Sequence, residues 1–316
     1  MHSTFLLVLV VVVALIFDFT NGFHDTANVV ASSISTRALR PRTAIAIAAI
    51  LNFAGAFISL KVAATVATGI IASSKITESI AFAGLVGAIA WNLITWYYGL
   101  PSSSSHALIG GVIGALLAAV GGAGVKGQAL IAKVVMPAVI APILAFVAAG
   151  LAIVAIYRIV GRRRPGLVIR GFRFGQILSG SMLALAHGTN DAQKTMGVIT
   201  LALVAHGSIS PHHFHVPTWV IISAATAIAL GTYAGGWRII RTLGTRIIKM
   251  DPPQGFASQA AGAAVILTSS HFGYPLSSTH VISGGVMGAG AAKRLSAVRW
   301  GVAGSIAVAW VVTLPT

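Results

Sequence analysis

The sequence is poor in charge, and above all in acidic residues. Only 8% of its 316 residues are charged, and 5 Asp and Glu stand against 21 Lys and Arg. A soluble domain carries about 25% charged residues, so this composition excludes an ordinary soluble domain. Uncharged runs long enough to cross a bilayer, which takes about 20 helical residues, indicate a polytopic membrane protein. These runs are Thr43–Leu60, Ile80–Leu100, Val134–Tyr157 and Val216–Trp237.

Cysteine is absent altogether. Its absence excludes a disulfide framework, a thiolate metal site and a cysteine nucleophile. The first apolar run, Phe5–Phe17, lacks the basic segment and the small-residue cleavage site of a secretory signal. We therefore expect this run to be retained as the first helix.

The basic residues fall into four short clusters. Cytoplasmic loops of membrane proteins collect Lys and Arg, and such clusters also suit anionic lipid head groups. Nucleic-acid binding would need a solvated basic domain, which the sequence does not show. We expect a multi-pass protein of the cell membrane with lipids, and no nucleic acid, as partners. The clusters are Arg37–Arg42, Arg158–Arg173, Arg238–Lys249 and Lys293–Arg299.

The richest basic cluster divides the chain into two hydrophobic halves. We predict a first transmembrane repeat over 1–157, a basic cytoplasmic linker over 158–173 and a second repeat over 174–316. The last apolar run starts at Trp300 and looks cut short at Thr316, so we expect the natural protein to continue.

An internal repeat supports this division. Pro101-Ser-Ser-Ser-Ser-His106 is followed by Gly110-Gly-Val, and Pro275-Leu-Ser-Ser-Thr-His280 by Gly284-Gly-Val, at a constant offset of 174 (275 − 101). An earlier pair, Gly22–Asn28 and Gly188–Lys194, shares Gly and Asp at an offset of 166 (191 − 25). Both pairs occur in the same order in each half, which establishes a duplication.

Duplicated membrane folds often place their substrate at the repeat interface, where helices are broken near mid-membrane. Met196–Ala205 and Val281–Ala292 are too short to span and are bounded by polar or small residues, which predicts re-entrant hairpins. The expected fold is all-α and polytopic, with two inverted repeats and re-entrant or broken helices.

The five acidic residues separate into groups. Glu78 and Asp251 stand beside basic or proline-containing segments and are interpreted as loop residues. Asp25 and Asp191 occupy equivalent repeat positions beside uncharged segments. An intramembrane carboxylate costs about 2.5–3.5 kcal/mol and usually faces a polar pathway, although helix capping is an alternative. Asp18 is either a proton-sensitive residue or a packing partner for a basic side chain.

The serine motifs indicate an anion site. Hydroxyls and free backbone N–H groups at the start of a helix face a ligand together with the helix dipole. The glycines that follow suit close helix packing. The histidine that ends each motif either orients the turn or donates to the anion. The expected donors are Ser104, Ser105, Ser278 and Thr279.

Electrostatics constrains the mechanism if the substrate is an anion. Two carboxylates, Asp25 and Asp191, would repel an anion strongly in a low-dielectric site. Sodium, a proton or a divalent metal on the anion must then bind with it. Cation coupling follows from the residues, provided that an anion is carried.

At these motifs the chain resembles the inorganic phosphate transporter (PiT) family, over essentially its whole length. The matching segments are Asn21–Asn28, His187–Lys194 and the two Pro-x-Ser-Ser-(Ser/Thr)-His motifs. The resemblance implies a transporter and not an enzyme. It would import inorganic phosphate by cation symport, through alternating access, with phosphate near the centre. The coupling cation would be H⁺ or Na⁺, and no other cofactor is expected.

The resemblance also assigns the site residues. We expect no metal centre. The sequence leaves open whether phosphate is carried free or as a metal complex, and whether the protein forms a homo-oligomer. The substrate-binding residues would be Asp25, Asn28, Ser104 and Ser105 in one half and Asn190, Asp191, Lys194, Ser278 and Thr279 in the other. The ion-coupling residues would be Asn21, Asp25, Asp191, Ser103 and Ser277.

Two positions depart from the family's repeated Asn-Asp-x-x-Asn pattern. His24 precedes Asp25, and Lys194 replaces the later asparagine. A fixed ammonium could replace a bound sodium ion or contact the phosphate. We therefore expect proton coupling in preference to sodium coupling.

The sequence also suggests other interpretations. A membrane lipid-phosphate or pyrophosphate phosphatase would carry a similar serine motif, but this chain lacks its glycine before histidine and the glutamates for metal and base roles. Transport of another oxyanion, such as sulfate or arsenate, is not separated by sequence. A metal site is less favoured than a surface loop for a histidine cluster without a nearby carboxylate. This cluster is His206, His212, His213 and His215.

Overall fold

The computed structural model describes residues 4–70, 75–210 and 215–316. Within these ranges the chain is helical and contains no β-strand. The first half contains α1 (Thr4–Ser35), α2 (Pro41–Gly55), α3 (Lys61–Ala64), α4 (Glu78–Tyr98), α5 (Ser104–Val120), α6 (Gly127–Leu130) and α7 (Met136–Val160). The second contains α8 (Pro165–His206), α9 (Thr218–Ala234), α10 (Trp237–Arg241), α11 (Pro252–His271), α12 (Ser278–Ala291) and α13 (Trp300–Thr313).

The two halves share one order of elements, so α1–α5 correspond to α8–α12. Local sequence explains the boundaries: prolines open α2 and α8, and left-handed glycines, Gly99 and Gly207, end α4 and α8. Even the irregular segments repeat, since α3 and α10 each continue into a π-helical turn. These turns cover Thr65–Gly69 and Thr242–Arg246.

Several helices are long and apolar enough to cross a membrane, as predicted. They are α1, α4 and the continuous segment Gly127–Val160. Taken together, α9 and the segment Trp237–Arg246, which is bent from α9 by 60°, are also long and apolar enough for a broken span or a re-entrant loop. Each of the four predicted apolar runs coincides with a helix, although α2 and α9 are shorter than their predicted runs. The protein is a multi-pass membrane protein.

One predicted break is wrong. Met196–Ala205 is part of α8, which runs without interruption through the polar motif before it. No proline follows Pro165 in this helix, and its polar side chains find partners on neighbouring helices. The prediction of a short helix holds for the other run, because α12 has 14 residues and begins three residues after Pro275.

The repeats are inverted, and the packing of α1 against α8 shows it. Thr36 Oγ1 donates to Gln176 Oε1 (2.5 Å) at one end of the pair. At the other end Asp18 lies beside Thr195. Residue numbers therefore fall along α1 as they rise along α8, so these equivalent helices are antiparallel.

The halves are also interlocked. α1 packs on α9 of the second half, and α8 packs on α2 of the first. The glycine shared by the motifs Gly22–Asn28 and Gly188–Lys194 allows both contacts. A methyl group added to Gly22 would lie 2.2 Å from the carbonyl oxygen of Ile228, and one added to Gly188 would lie 2.1 Å from that of Asn52. This glycine therefore serves helix packing.

All four basic clusters lie at one face of the molecule, which we call the basic face. Tyr157 and Lys293 both donate to Asp251 Oδ2 at 2.9 Å, which joins the ends of α7 and α12 to the start of α11. Gly244 packs against Ala31 near the end of α1. By the positive-inside rule this is the cytoplasmic face.

The boundary of the predicted linker needs correction. α7 ends at Val160 and α8 begins at Pro165, so only residues 161–164 connect the two helices. Residues 165–173, predicted as linker, form the first turns of α8. Pro165 occupies the start of the helix, where its missing N–H needs no partner.

Glu78 and Asp251 are both interpreted above as loop residues, and the structure overturns this for Glu78 alone, because Asp251 lies outside α11, directly before Pro252. Asp251 is the N-cap of α11 and forms a capping box with Gln254. Glu78 is the first residue of α4, is buried, and lies 2.6 Å from His206 Nδ1. His206 is the last residue of α8, far from Glu78 in the sequence, so the sequence did not indicate this contact.

Candidate functional site

Asp25 and Asp191 meet at the centre of the molecule, where α1 crosses α8 and where α5 and α12 begin. Both carboxylates are buried, with 2% and 0% of their surface exposed. Each lies inside a continuous helix, far from its ends. The alternative that they cap helix N-termini is therefore excluded.

The carboxylate of Asp25 is held by residues of its own half. Ser104 Oγ lies 2.7 Å from Asp25 Oδ2 and 2.6 Å from Asn21 Oδ1. His24 Nδ1 lies 2.7 Å from Asp25 Oδ1. Ser104 is the first residue of α5, so the start of that helix points at the carboxylate.

The carboxylate of Asp191 has a basic environment on its own helix. His187 Nε2 lies 2.8 Å from Asp191 Oδ2, and the Lys194 ammonium contacts Asp191 Oδ1. The spacings i, i+4 and i, i+3 place all three side chains on one face of α8. Lys194 also donates to Ser105 Oγ (2.5 Å) and to the Leu276 carbonyl (2.6 Å), so it joins the starts of both short helices.

The hydroxyls of α12 connect the two halves. Ser278 Oγ donates to Asp191 Oδ2 (3.0 Å) and lies 3.4 Å from Asp25 Oδ2. Thr279 Oγ1 lies 3.4 Å from Asp25 Oδ1 and accepts a hydrogen bond from Asn28 Nδ2 (2.9 Å). Donors from one half thus reach carboxylates of both.

Three residues predicted for the site make other contacts. Ser103 and Ser277 are N-caps, and their hydroxyls accept from the backbone N–H of His106 (3.1 Å) and His280 (3.3 Å). Asn190 donates to Ser270 Oγ (2.9 Å) on α11 and to the Tyr274 carbonyl (3.3 Å). The roles of these three residues in coupling or binding stay predictions.

The histidines of the serine motifs pack on each other, away from the carboxylates. The ring centroids of His106 and His280 are 4.7 Å apart, and His280 stacks on Trp310 at 4.2 Å. His280 Nδ1 lies 3.3 Å from the Ala138 carbonyl. These contacts favour the role of orienting the turns.

Sequence reasoning missed the two imidazoles that contact the carboxylates. His187 stands 166 residues after Asn21, which was assigned to the site, so the repeat offset was a usable signal. The ligand atoms of Asp25, His187 and Asp191 lie within 4.8 Å of one another, and within the described ranges this is the group that could hold a cation. No metal site was expected here.

Two other predicted groups are Asp18, which interacts electrostatically with Asp191 and Lys194 of this centre, and the histidine cluster. Asp18 is buried beside Thr195 and Asn21, and the ion pairs of the described residues do not include it. Of the histidine cluster, His206 pairs with Glu78, so the expectation of no nearby carboxylate is wrong. His212 and His213 lie outside the described residues.

Comparison with known proteins agrees with this geometry. The family model described as "Phosphate transporter family" matches twice, over residues 21–169 and 163–316. A probable low-affinity inorganic phosphate transporter of Mycobacterium tuberculosis is 56% identical over 98% of this chain and 75% of its own length. One of Bacillus subtilis is 44% identical over 98% of this chain and 93% of its own length.

A solved structure shares the fold. "The sodium-dependent phosphate transporter" superimposes with a TM-score of 0.88 at 24% identity, over 99% of this chain and 96% of that one. The relatives are named as transporters and not as enzymes, which removes the phosphatase alternative. The predicted resemblance is confirmed: this chain belongs to the phosphate transporter family.

Proposed function

We propose that the protein imports inorganic phosphate by cation symport, with its site at the interface of the two inverted repeats. The observation that carries this proposal is the position of Ser278, whose hydroxyl reaches the carboxylates of both halves. A substrate held there touches elements of each repeat.

The donors at this centre suit a tetrahedral oxyanion. The starts of α5 and α12 present hydroxyls and the positive ends of helix dipoles, and Lys194 adds an ammonium. Asp25 and Asp191 would repel the anion unless positive charge entered with it. Phosphate bound together with a coupling cation would match both the hydrogen-bond donors and the two carboxylates.

The coupling cation is a proton in preference to sodium. Lys194 already places a fixed positive charge against Asp191. Each carboxylate also contacts an imidazole, His24 or His187, which can carry a proton. The three residues that could hold a cation, Asp25, His187 and Asp191, offer a histidine nitrogen as one ligand, whereas hard metal cations prefer oxygen ligands.

The inverted packing supports alternating access. α1 and α8 carry the carboxylates, while α5 and α12 bring the hydroxyls as separate short helices. A movement of one repeat against the other would break the Ser278 contact with one carboxylate and keep that with the other. The site would then open to each side of the membrane in turn.

Radiolabelled phosphate uptake into proteoliposomes tests the proposal. The purified protein is compared with Asp25→Asn and Asp191→Asn under an imposed proton or sodium gradient. Asp251→Asn serves as a control, because this acid lies at the basic face and asparagine also caps helices. We expect proton-driven uptake in the native and control proteins and its loss in the two site variants, because intramembrane carboxylates usually mark the pathway of the ion or the substrate.

The same assay separates the alternatives. Absence of gradient-driven uptake in folded native protein would contradict phosphate symport. Uptake that needs external sodium and ignores a proton uncoupler would contradict proton coupling alone. Competition by sulfate and arsenate identifies the preferred oxyanion, and a chelator of divalent metals distinguishes free phosphate from a metal complex.

A further inference from the structure

A second basic site lies at the basic face, outside the central site. A pocket of about 280 Å³ opens between the end of α4 and the segment formed by α10 and its π turn. We call it the arginine pocket, and its principal lining residues are Tyr97, Tyr98, Trp237, Arg238, Arg241 and Arg246.

No carboxylate of the protein neutralises this pocket. The chain has five acidic residues, and all lie in the described ranges. Asp25 and Asp191 belong to the central site, Asp18 lies beside Thr195, and the last two, Glu78 and Asp251, pair with His206 and Lys293. The three guanidinium groups of the pocket therefore have no carboxylate partner among the described residues.

One of the three arginines has a structural role. The Arg238 guanidinium donates to the Tyr97 carbonyl (2.5 Å) at the end of α4. It also lies over the rings of Trp96 and Tyr97, at 5.0 and 4.8 Å from their centroids. A cation at the C-terminus of a helix satisfies its last carbonyl groups and its dipole.

The inverted repeat indicates that this helix contact does not need the other two arginines. Lys61, the counterpart of Arg238, donates to the His271 carbonyl (2.9 Å) at the end of α11. At the same offset of 177 (238 − 61), Ala64 and Gly69 stand where the second half has Arg241 and Arg246. The same helix contact thus forms at the opposite side with a single basic residue.

The chemistry of the pocket points to a phosphate group. Guanidinium groups bind phosphate oxygens through paired hydrogen bonds. Tyr97, Tyr98 and Trp237 are 60%, 68% and 50% exposed, as expected of aromatic residues at the boundary of a bilayer. We propose that the arginine pocket binds a phosphate group, and that its aromatic rim assigns this group to the headgroup of an anionic phospholipid. Inorganic phosphate in solution carries the same chemistry.

The double variant Arg241→Gln/Arg246→Gln tests the proposal, with Arg238 kept for the helix contact. Arg170→Gln/Arg173→Gln is the matched control, because it removes two exposed charges from α8 near the same face. Native mass spectrometry measures retention of phosphatidylglycerol against phosphatidylcholine. We expect the pocket variant to bind phosphatidylglycerol about 30-fold more weakly and the control to change little, given the usual contribution of each juxtamembrane arginine.

A second arm tests the source of the phosphate group. Calorimetric titration of inorganic phosphate into delipidated protein should give the same isotherm for the pocket variant and the control. A phosphate site lost only in the pocket variant would overturn the lipid assignment. Equal retention of both lipids by the native protein would overturn the site itself, and this measurement does not depend on the folding of any variant.

Discussion

The two halves of the central site occupy equivalent positions but differ in charge. The first half contributes Asn21 and Asn28 on either side of its aspartate, and the second contributes His187 and Lys194 at the same offset of 166. Asn28 donates to hydroxyls of α12, while Lys194 donates to a hydroxyl of α5. The duplication has kept the places of the side chains and changed their chemistry.

The two halves therefore differ in how the negative charge of the aspartate is compensated. The second half has a counter-ion built into the chain, because Lys194 contacts Asp191. The first half has no such residue, and Asp25 contacts neutral donors and His24. Under the proposed symport a mobile cation would therefore be needed most at Asp25, whereas the second half carries a permanent positive charge at Lys194.

The largest expected effect comes from removing the built-in counter-ion. Lys194→Ala leaves the buried Asp191 without its ammonium, and breaking a buried ion pair costs about 3–5 kcal/mol. We expect phosphate uptake to be lost and the free energy of unfolding in detergent to fall by that amount. Lys293→Ala is the control, since its pair with Asp251 is 50% and 31% exposed and such pairs contribute about 0–1 kcal/mol. Equal destabilisation by the two variants would contradict the asymmetry.

A second prediction exchanges the chemistry of the halves. Lys194→Asn makes the second half resemble the first, so Asp191 would need a mobile cation of its own. We expect residual uptake of this variant to become dependent on external sodium, measured in proteoliposomes without a proton gradient. Adding Asn28→Lys should restore part of the sodium-independent uptake, because an ammonium would then lie beside the α12 hydroxyls, of which Ser278 also contacts Asp191. No difference between the single and double variants would show that the position of the charge does not matter.

The interlocked packing should be more symmetric than the site. Gly22→Ala and Gly188→Ala each place a methyl group against a backbone carbonyl, at 2.2 and 2.1 Å. Overpacking of this kind costs about 1–3 kcal/mol, and we expect similar losses of unfolding free energy for both. Gly171→Ala, in open space on α8, should be neutral or stabilising by about 0.5–1 kcal/mol. A large difference between the first two variants would mean that the halves are not packed equivalently.

The sequence predicted the features that depend on local pattern. Motif identity and spacing predict the repeat and the start of the short helices after Pro101 and Pro275. They also predict that Asp25 and Asp191 lie close together. The sequence did not predict the continuity of α8, because its polar motif resembles a helix break when the partners of its side chains on other helices are unknown. The repeat offset could have indicated His187, which contacts Asp191 on its own helix. The contact of Glu78 with His206 depends on which helices meet, and the sequence carries no signal of that.

The smallest effect concerns Ser103 and Ser277, predicted to couple ions but observed as N-caps. Ser103→Ala and Ser277→Ala should each lower the free energy of unfolding by about 1 kcal/mol, because a helix start loses the acceptor for a backbone N–H. Asparagine at either position should restore stability, since it also caps. If the hydroxyls only cap, the asparagine variants keep the native dependence of uptake on proton and sodium gradients. A change in coupling ion at native stability would instead place these serines in the ion path, and a change at only one of them would extend the asymmetry of the two half-sites to their helix caps.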